Sequence, residues 1–433
     1  MNNFTFNAFI FMWVLLATSS PSYAQAPSSE NDNRETASAD SAPADTVNDE
    51  ASPVRFQFSG FGTVGMIYTD AKDLHFIRPS LSHPCDQNPD FSPDTIIGVQ
   101  GNLSLGQRTS VVVQAISRKN THNNYEPHAT LAFANYAIAP FLTVRAGRMK
   151  MPFFMLSETS YINYANPWIR PPTEIYSLVP FNDLDGVDLL LSDNFGKWNV
   201  ELHSYYGSSS AHVYRSGKGH LNGSGLNITA TNGSLTLFAA HGEARMSMKW
   251  NDKYFQDLSS ALASPFVPNG DRILQDLSGD KGRARVSSVA MQWDDTRWLL
   301  IAEYSQLKTT RYTPNAQAWE ITAARRFGNF TPYLAYADFA KHRKNGTITS
   351  EKTGIPDLDA AVQAFTASRN LGQSRTTVGL RWDFYRNTAL KLEYSHIRIK
   401  DNSWGSFLPT DPTNIRMENR HVNTIGASVD VTF

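Results

Sequence analysis

Residues 422–433 read Val422-Asn423-Thr424-Ile425-Gly426-Ala427-Ser428-Val429-Asp430-Val431-Thr432-Phe433. Ile425, Ala427, Val429, Val431 and Phe433 are apolar, and Thr424, Gly426, Ser428, Asp430 and Thr432 between them are small or polar. Side chains on a strand alternate between two faces, so this segment predicts a strand with one apolar and one wet face.

The same period recurs from Val54 onward in short runs rich in aromatic and β-branched residues. The runs fall at about 56–68, 95–105, 108–118, 129–139, 141–149, 186–192, 198–206, 225–231, 234–245, 289–293, 298–304, 317–326, 330–340, 374–384, 388–399 and 420–433, sixteen in all. Short connections (106–107, 139–140, 193–196, 232–233, 294–295, 328–329, 386–387) alternate with long ones at 70–94, 119–128, 150–185, 207–224, 246–283, 307–316, 341–373 and 400–419. This phase predicts an all-β, up-and-down antiparallel transmembrane barrel. In hydrocarbon every backbone N–H and C=O needs an internal partner, so the sheet must close. Phe56, Phe58, Tyr68, Trp198, Tyr206, Trp293, Trp298, Tyr304, Trp319, Trp382 and Phe384 lie near run ends, as interface girdles would.

Composition agrees. No apolar stretch approaches the eighteen residues of a membrane helix, and a mean hydropathy of -0.37 suits a barrel in which only alternate residues meet lipid. Residues 1–24 read as a signal peptide: Ala8–Ala17 is a ten-residue apolar run, followed by the small-x-small site Ser22-Tyr23-Ala24. Residues 25–53 have no aromatic residue, seven acids and one arginine, and read as a disordered acidic linker without heptads. The whole chain carries -1 and the linker -6, which leaves +5 on the barrel domain, 54–433. The single cysteine, Cys85, lies in a Pro/Asn/Asp-rich loop and reads as a spectator thiol.

Three stretches resemble Gram-negative outer-membrane porins of the sixteen-stranded, trimeric type. Val144-Arg145-Ala146-Gly147-Arg148-Met149-Lys150-Met151-Pro152-Phe153 is similar to the end of their strand five. Gln373–Phe384 resembles strand fourteen, and Ala389-Leu390-Lys391-Leu392-Glu393-Tyr394 its partner. The resemblance implies a homotrimer in outer-membrane lipid, a water-filled channel for passive diffusion of small hydrophilic solutes or anions, and no cofactor. It also implies that Phe433 is a signal read by the outer-membrane assembly machinery. The connection after strand five, 151–185, is then expected to fold into the barrel, stiffened by Pro167, Pro171, Pro172 and Pro180 and carrying Glu158, Arg170 and Glu174. It lacks a dense acidic run, which leaves cation selectivity unsupported.

Strand phase nominates the lumen charges: Arg145 on strand five, Arg375 and Arg381 on strand fourteen, and Lys391 and Glu393 on strand fifteen. Arg148 and Lys150 are assigned to lumen or rim because an arginine facing mid-membrane lipid costs roughly 2–4 kcal/mol. Two readings stay open. The basic residues form an anion-drawing ladder, or they pair with Glu158, Glu174 or Asp383 and brace the wall. A substrate-selective channel for phosphate, carboxylates or sugars is the alternative function. An enzyme is disfavoured, since Ser395 and His396 are strand neighbours on opposite faces and His203, His212, His220 and His241 lack metal-ligand spacing. Nothing points to nucleic acid. Short helices are expected at Asp252–Leu262 and Ile355–Ser368.

Overall fold

Sixteen antiparallel strands close on themselves in sequence order in the computed structural model, which describes residues 54–78, 82–341, 348–410 and 419–433. They are β1 Arg55–Thr69, β2 Ile96–Leu105, β3 Thr109–Arg118, β4 His128–Ala139, β5 Leu142–Lys150, β6 Asp183–Phe195, β7 Trp198–Val213 and β8 Gly217–Asn232. The second half is β9 Leu235–Trp250, β10 Gly282–Asp294, β11 Trp298–Thr309, β12 Ala316–Arg325, β13 Phe330–Lys341, β14 Gln373–Tyr385, β15 Thr388–Ile399 and β16 Arg420–Thr432. The expected signal peptide and linker lie outside the described residues.

Closure runs through β1, whose register with β16 extends from Phe61↔Thr432 to Thr69↔Thr424, while Arg55 to Thr63 pair with β2. The last residue takes part: Phe433 donates to the Gly60 carbonyl at 2.9 Å and accepts from the Gly60 N–H at 2.8 Å. The tip of its ring lies against Gly60, where an added Cβ would stand 2.3 Å from the ring, so glycine there makes room for the closing aromatic.

The two faces of β16 separate as their alternation requires. Ile425, Val429 and Val431 are exposed on the outside, whereas Thr424, Ser428, Asp430 and Thr432 are buried on the lumen side. Exposed aromatics ring the turn end (Phe58, Trp293, Trp298, Phe330, Trp382, Phe433), and exposed tyrosines mark the other end of the belt at Tyr68, Tyr206, Tyr304 and Tyr394. Tight turns carry left-handed residues such as Gly106 and Gly233, where a side chain would be strained.

Three features differ from expectation. The connection expected at 207–224 is mostly strand, because β7 runs to Val213 and β8 starts at Gly217. Its outward residues, among them Ser208, Ser210, Lys218 and His220, extend past the tyrosine level and face water, so the apolar period stops while the hydrogen-bonded ladder continues. The expected helices are present as α2 Lys253–Leu262, capped by the Asp252 carboxylate, and α4 Pro356–Ser368. An unforeseen α3, Gly270–Ser278, packs with both through Phe255, Leu262, Ile273, Leu277 and Phe365. A short α1, Thr173–Tyr176, lies in the connection after β5.

The third difference is that an apolar core occupies the loop-side half of the lumen. Met151, Phe153, Phe154, Ile175, Leu178 and Phe181 of that connection pack on the inward residues Tyr205, Leu221, Val286, Leu307, Ala318 and Phe339.

Val64 and Val429 are register partners across the closing seam, at a Cα spacing that a disulfide can span. Val64→Cys combined with Val429→Cys is expected to cross-link on oxidation. On denaturing gels the boiled, oxidised protein should run faster than the reduced one; identical mobility would refute this closure register.

Candidate functional site: the inner wall and residues 151–182

A chain segment inside a barrel brings backbone N–H and C=O groups that need partners once water is displaced. The wall supplies them largely from charged side chains. Lys391 on β15 donates to the carbonyls of Asn163 at 2.6 Å and Trp168 at 2.8 Å. Arg381 on β14 donates to the carbonyls of Tyr164 at 2.6 Å and Asn166 at 3.1 Å. Glu393 accepts from the Ile169 N–H at 2.7 Å and from the Tyr333 hydroxyl at 2.6 Å. Four strands away, Glu303 on β11 accepts from the Met155 N–H at 3.2 Å and the Tyr176 hydroxyl at 3.1 Å. The Trp168 indole donates to the Thr322 hydroxyl at 3.1 Å, and the Asn163 amide to the Thr63 hydroxyl at 3.2 Å.

Each basic residue nominated from the sequence also has a carboxylate. Arg145 chelates Asp188, with His203 3.0 Å away and Glu158 more distant at 3.9 Å. Lys150 binds Asp183 at 2.7 Å and lies 4.1 Å over the Tyr161 ring. Arg170 chelates Asp94, both fully buried; burial works against the guanidinium charge, and Asp94 more than offsets it, raising its pKa. Arg375 pairs with Glu174 at 3.0 Å and also donates to the Thr173 hydroxyl. Arg381 pairs with Asp383 at 2.7 Å, and Lys391 with Asp430 at 2.8 Å, the last two completely buried. Each nominated basic residue therefore stands beside a carboxylate, whereas Glu393 faces N–H and O–H donors instead of a cation.

Arg148 is a correction. It stands opposite exposed Ala132 and opposite Asp185, which shares the outward phase of Val187 and Leu189. It makes two 2.7 Å hydrogen bonds to Asp185 on the outer face. The odd spacing from inward Arg145 agrees with this, whereas Lys150, also at odd spacing, is buried against Tyr161.

Several partners were missed although a signal was present. Arg145, Arg148 and Lys150 are spaced three and two apart; Asp183, Asp185 and Asp188 are spaced two and three apart. Antiparallel pairing brings these mirrored spacings into direct register as three consecutive ion pairs. Glu303 alternates with outward Trp298, Leu300 and Tyr304 and could have been read as inward from the same phase. Glu320, its register partner on β12, is buried with no hydrogen-bond partner among the described residues. Asp430 was legible as inward from the alternation of the last strand, but its partner was not, and Asp94 offered no local pattern.

No family model matches the chain, and no curated protein matches it. Solved structures do. It is similar to the outer membrane channel DcaP of Acinetobacter baumannii at 12% identity and a TM-score of 0.50, covering 88% of this chain and 97% of that one. It is also similar to the trimer form of in-vitro folded OmpT of Vibrio cholerae at 9% identity and a TM-score of 0.50, covering 88% and 99%. An anion-selective porin from Comamonas acidovorans matches at 11% identity and a TM-score of 0.49, covering 88% and 100%. The chain has the fold of the sixteen-stranded outer-membrane porins. Its exposed apolar belt marks this porin-fold barrel as membrane-spanning.

Cys85 lies outside the spanning strands, buried among Ile67, Phe76, Ile397 and Phe407. Burial, and then Asp90 and Asp94, push its thiol well above the usual range. It is expected to resist maleimide at pH 8 in the folded barrel and to react after denaturation; fast labelling of the folded protein would contradict this packing.

Lys391→Met leaves Asp430 buried without its cation, a loss of roughly 3–5 kcal/mol when one partner of such a pair is removed. The temperature at which the gel band converts from folded to unfolded mobility should fall. Adding Asp430→Leu should recover much of the loss. A single variant as heat-resistant as the parent would show that the pair does not hold the wall.

Proposed function

We propose that the chain is a passive outer-membrane channel for small hydrophilic solutes, narrowed by residues 151–182. The observation that carries this reading is the fastening of that segment to opposite sides of the wall, by Lys391 and Glu393 on β15 and, eight strands away, by the packing of Phe153 on Tyr205 of β7. Inward wall residues as far apart as Thr63, Gln100, Asn227, Ser288 and Thr377 are buried, which supports a bore much tighter than a bare sixteen-stranded wall would leave. A tight bore favours the substrate-selective form of this function over a general sieve.

The anion ladder loses its support, because a paired cation contributes little net field. A catalytic reading has none either: Ser395 is buried on the lumen side, whereas His396 is exposed and bonds to Asn423 and His421. In the same reading the barrel is a homotrimer, as one solved relative of the fold is. Phe433, exposed at the turn end, then serves as its assembly signal.

Planar bilayers test the channel. The purified protein in KCl should give discrete conductance steps, and replacing residues 156–177 with a Gly-Gly link should enlarge them severalfold. Reversal potentials under a salt gradient should lie near zero. Absent steps, or steps indifferent to the deletion, would reject the reading; strong anion preference would reject the neutral-pair account of the wall.

A further inference from the structure

The outer face of β8–β11 changes character where the apolar belt ends. On the turn side of the tyrosine level it exposes Leu226, Leu237, Val289 and Leu300. Beyond that level the outward residues are charged. Tyr206, Ser224, Glu243, Arg285 and Lys308 form one register row across β7 to β11, all exposed. Lys308 stands two outward positions past Tyr304 on its own strand, so the row leaves the belt as it crosses the tilted strands. One outward position further from the belt, Arg245 faces Arg283, and both are exposed.

Both rows set like charges directly opposite one another, Arg285 against Lys308 and Arg245 against Arg283. Such cross-strand pairs repel. Glu243 pairs with Arg285 at 2.8 Å and lies 3.7 Å from His241. Arg245, Arg283 and Lys308 have no carboxylate partner among the described residues. Four cations against one carboxylate leave this patch at +3. Elsewhere beyond the belt the charges are matched: Arg148 has Asp185 at 2.7 Å, and Lys400 has Asp338 at 2.6 Å.

We propose that this face binds phosphorylated lipid of the loop-side leaflet, one phosphate lying between Arg245 and Arg283 and another between Arg285 and Lys308. Phosphate oxygens accept from two cationic side chains at once, and register partners hold theirs on Cβ atoms only ~5 Å apart. A phosphate monoester brings a charge of about -1.5 to -2, enough to offset one like-charged pair. A zwitterionic headgroup adds its own cation to the cluster and gains less. Lipid is favoured over a soluble anion by continuity: acyl chains below the same phosphates lie on Leu237, Val289 and Leu300. The inference depends on the membrane-spanning belt and not on conduction through the bore.

Native mass spectrometry of the full chain in detergent tests it, with dioleoyl phosphatidic acid as the probe, dioleoyl phosphatidylcholine as comparator and inorganic phosphate as competitor. Phosphatidic acid should bind at least about tenfold more tightly than phosphatidylcholine, the scale set by charge-assisted hydrogen bonds. Arg245→Gln with Arg283→Gln, and separately Arg285→Gln with Lys308→Gln, should each weaken phosphatidic acid by about tenfold. Arg148→Gln, which removes a matched cation from the outer face, should leave it unchanged. Heat-modifiable migration checks folding; if one double variant does not fold, the other carries the comparison. Equal binding of phosphatidylcholine, full affinity in a folded double variant, or equal weakening by Arg148→Gln would overturn the site. Inorganic phosphate displacing the lipid at equal concentration would reject lipid in favour of a free anion. Loss of oligomers with lipid binding intact in the double variants would reject it in favour of a second copy of this chain.

Discussion

The structure depends on one constraint: no backbone polar group can remain unpaired where water is absent. In the wall the constraint is met by the ladder, and it explains why β1 divides its length between β2 and β16 and why the chain's last carbonyl and N–H are used on Gly60. In the lumen it applies again, because residues 151–182 enter a space from which they displace water. That segment has one very short α-helix and one turn of 3-10 helix, so many of its N–H and C=O groups lack local partners. Charged wall residues, which can make more than one strong hydrogen bond each, meet that need.

The inner charges make sense in this light. A buried cation is tolerated only when it is paired and its remaining donors are used. Lys391 satisfies both conditions, with Asp430 as counter-ion and two carbonyls as acceptors. Arg381 does the same with Asp383 and two other carbonyls. The residues that look like a selectivity filter in the sequence are therefore the attachment points of the constriction.

Lipid made the fold legible. Wherever a strand crosses the belt, its outward residues must be apolar, so Ile425, Val429 and Val431 announce β16, and the long-short phase of the connections reveals the direction of each strand. Above the belt that pressure ends. The outward faces of β7 and β8 carry serine, lysine and histidine there, and a sequence pattern tuned to apolar alternation reads them as loop. The lumen is harder again. Leu221, Val286, Leu307 and Phe339 face inward because a loop packs on them, and nothing in their own strands reveals that. Asp94 and Asp430 meet their partners only through the tertiary fold.

Arg148 shows what alternation already contained. The odd spacing from Arg145 assigns the two to opposite faces, and the energetic objection to a lipid-facing arginine holds only where the residue meets hydrocarbon. Asp185 is in register with Ser208, and Val187 with Tyr206, so the Arg148–Asp185 pair lies one outward position beyond the tyrosine level. There the cost of an exposed charge is small, and a bidentate pair across neighbouring strands helps fix their register. A slip of two residues would move Asp185 away from Arg148, Asp188 from Arg145 and Asp183 from Lys150 together. The mirrored spacing thus selects one alignment of β5 against β6, and with it the height at which residues 151–182 enter the lumen.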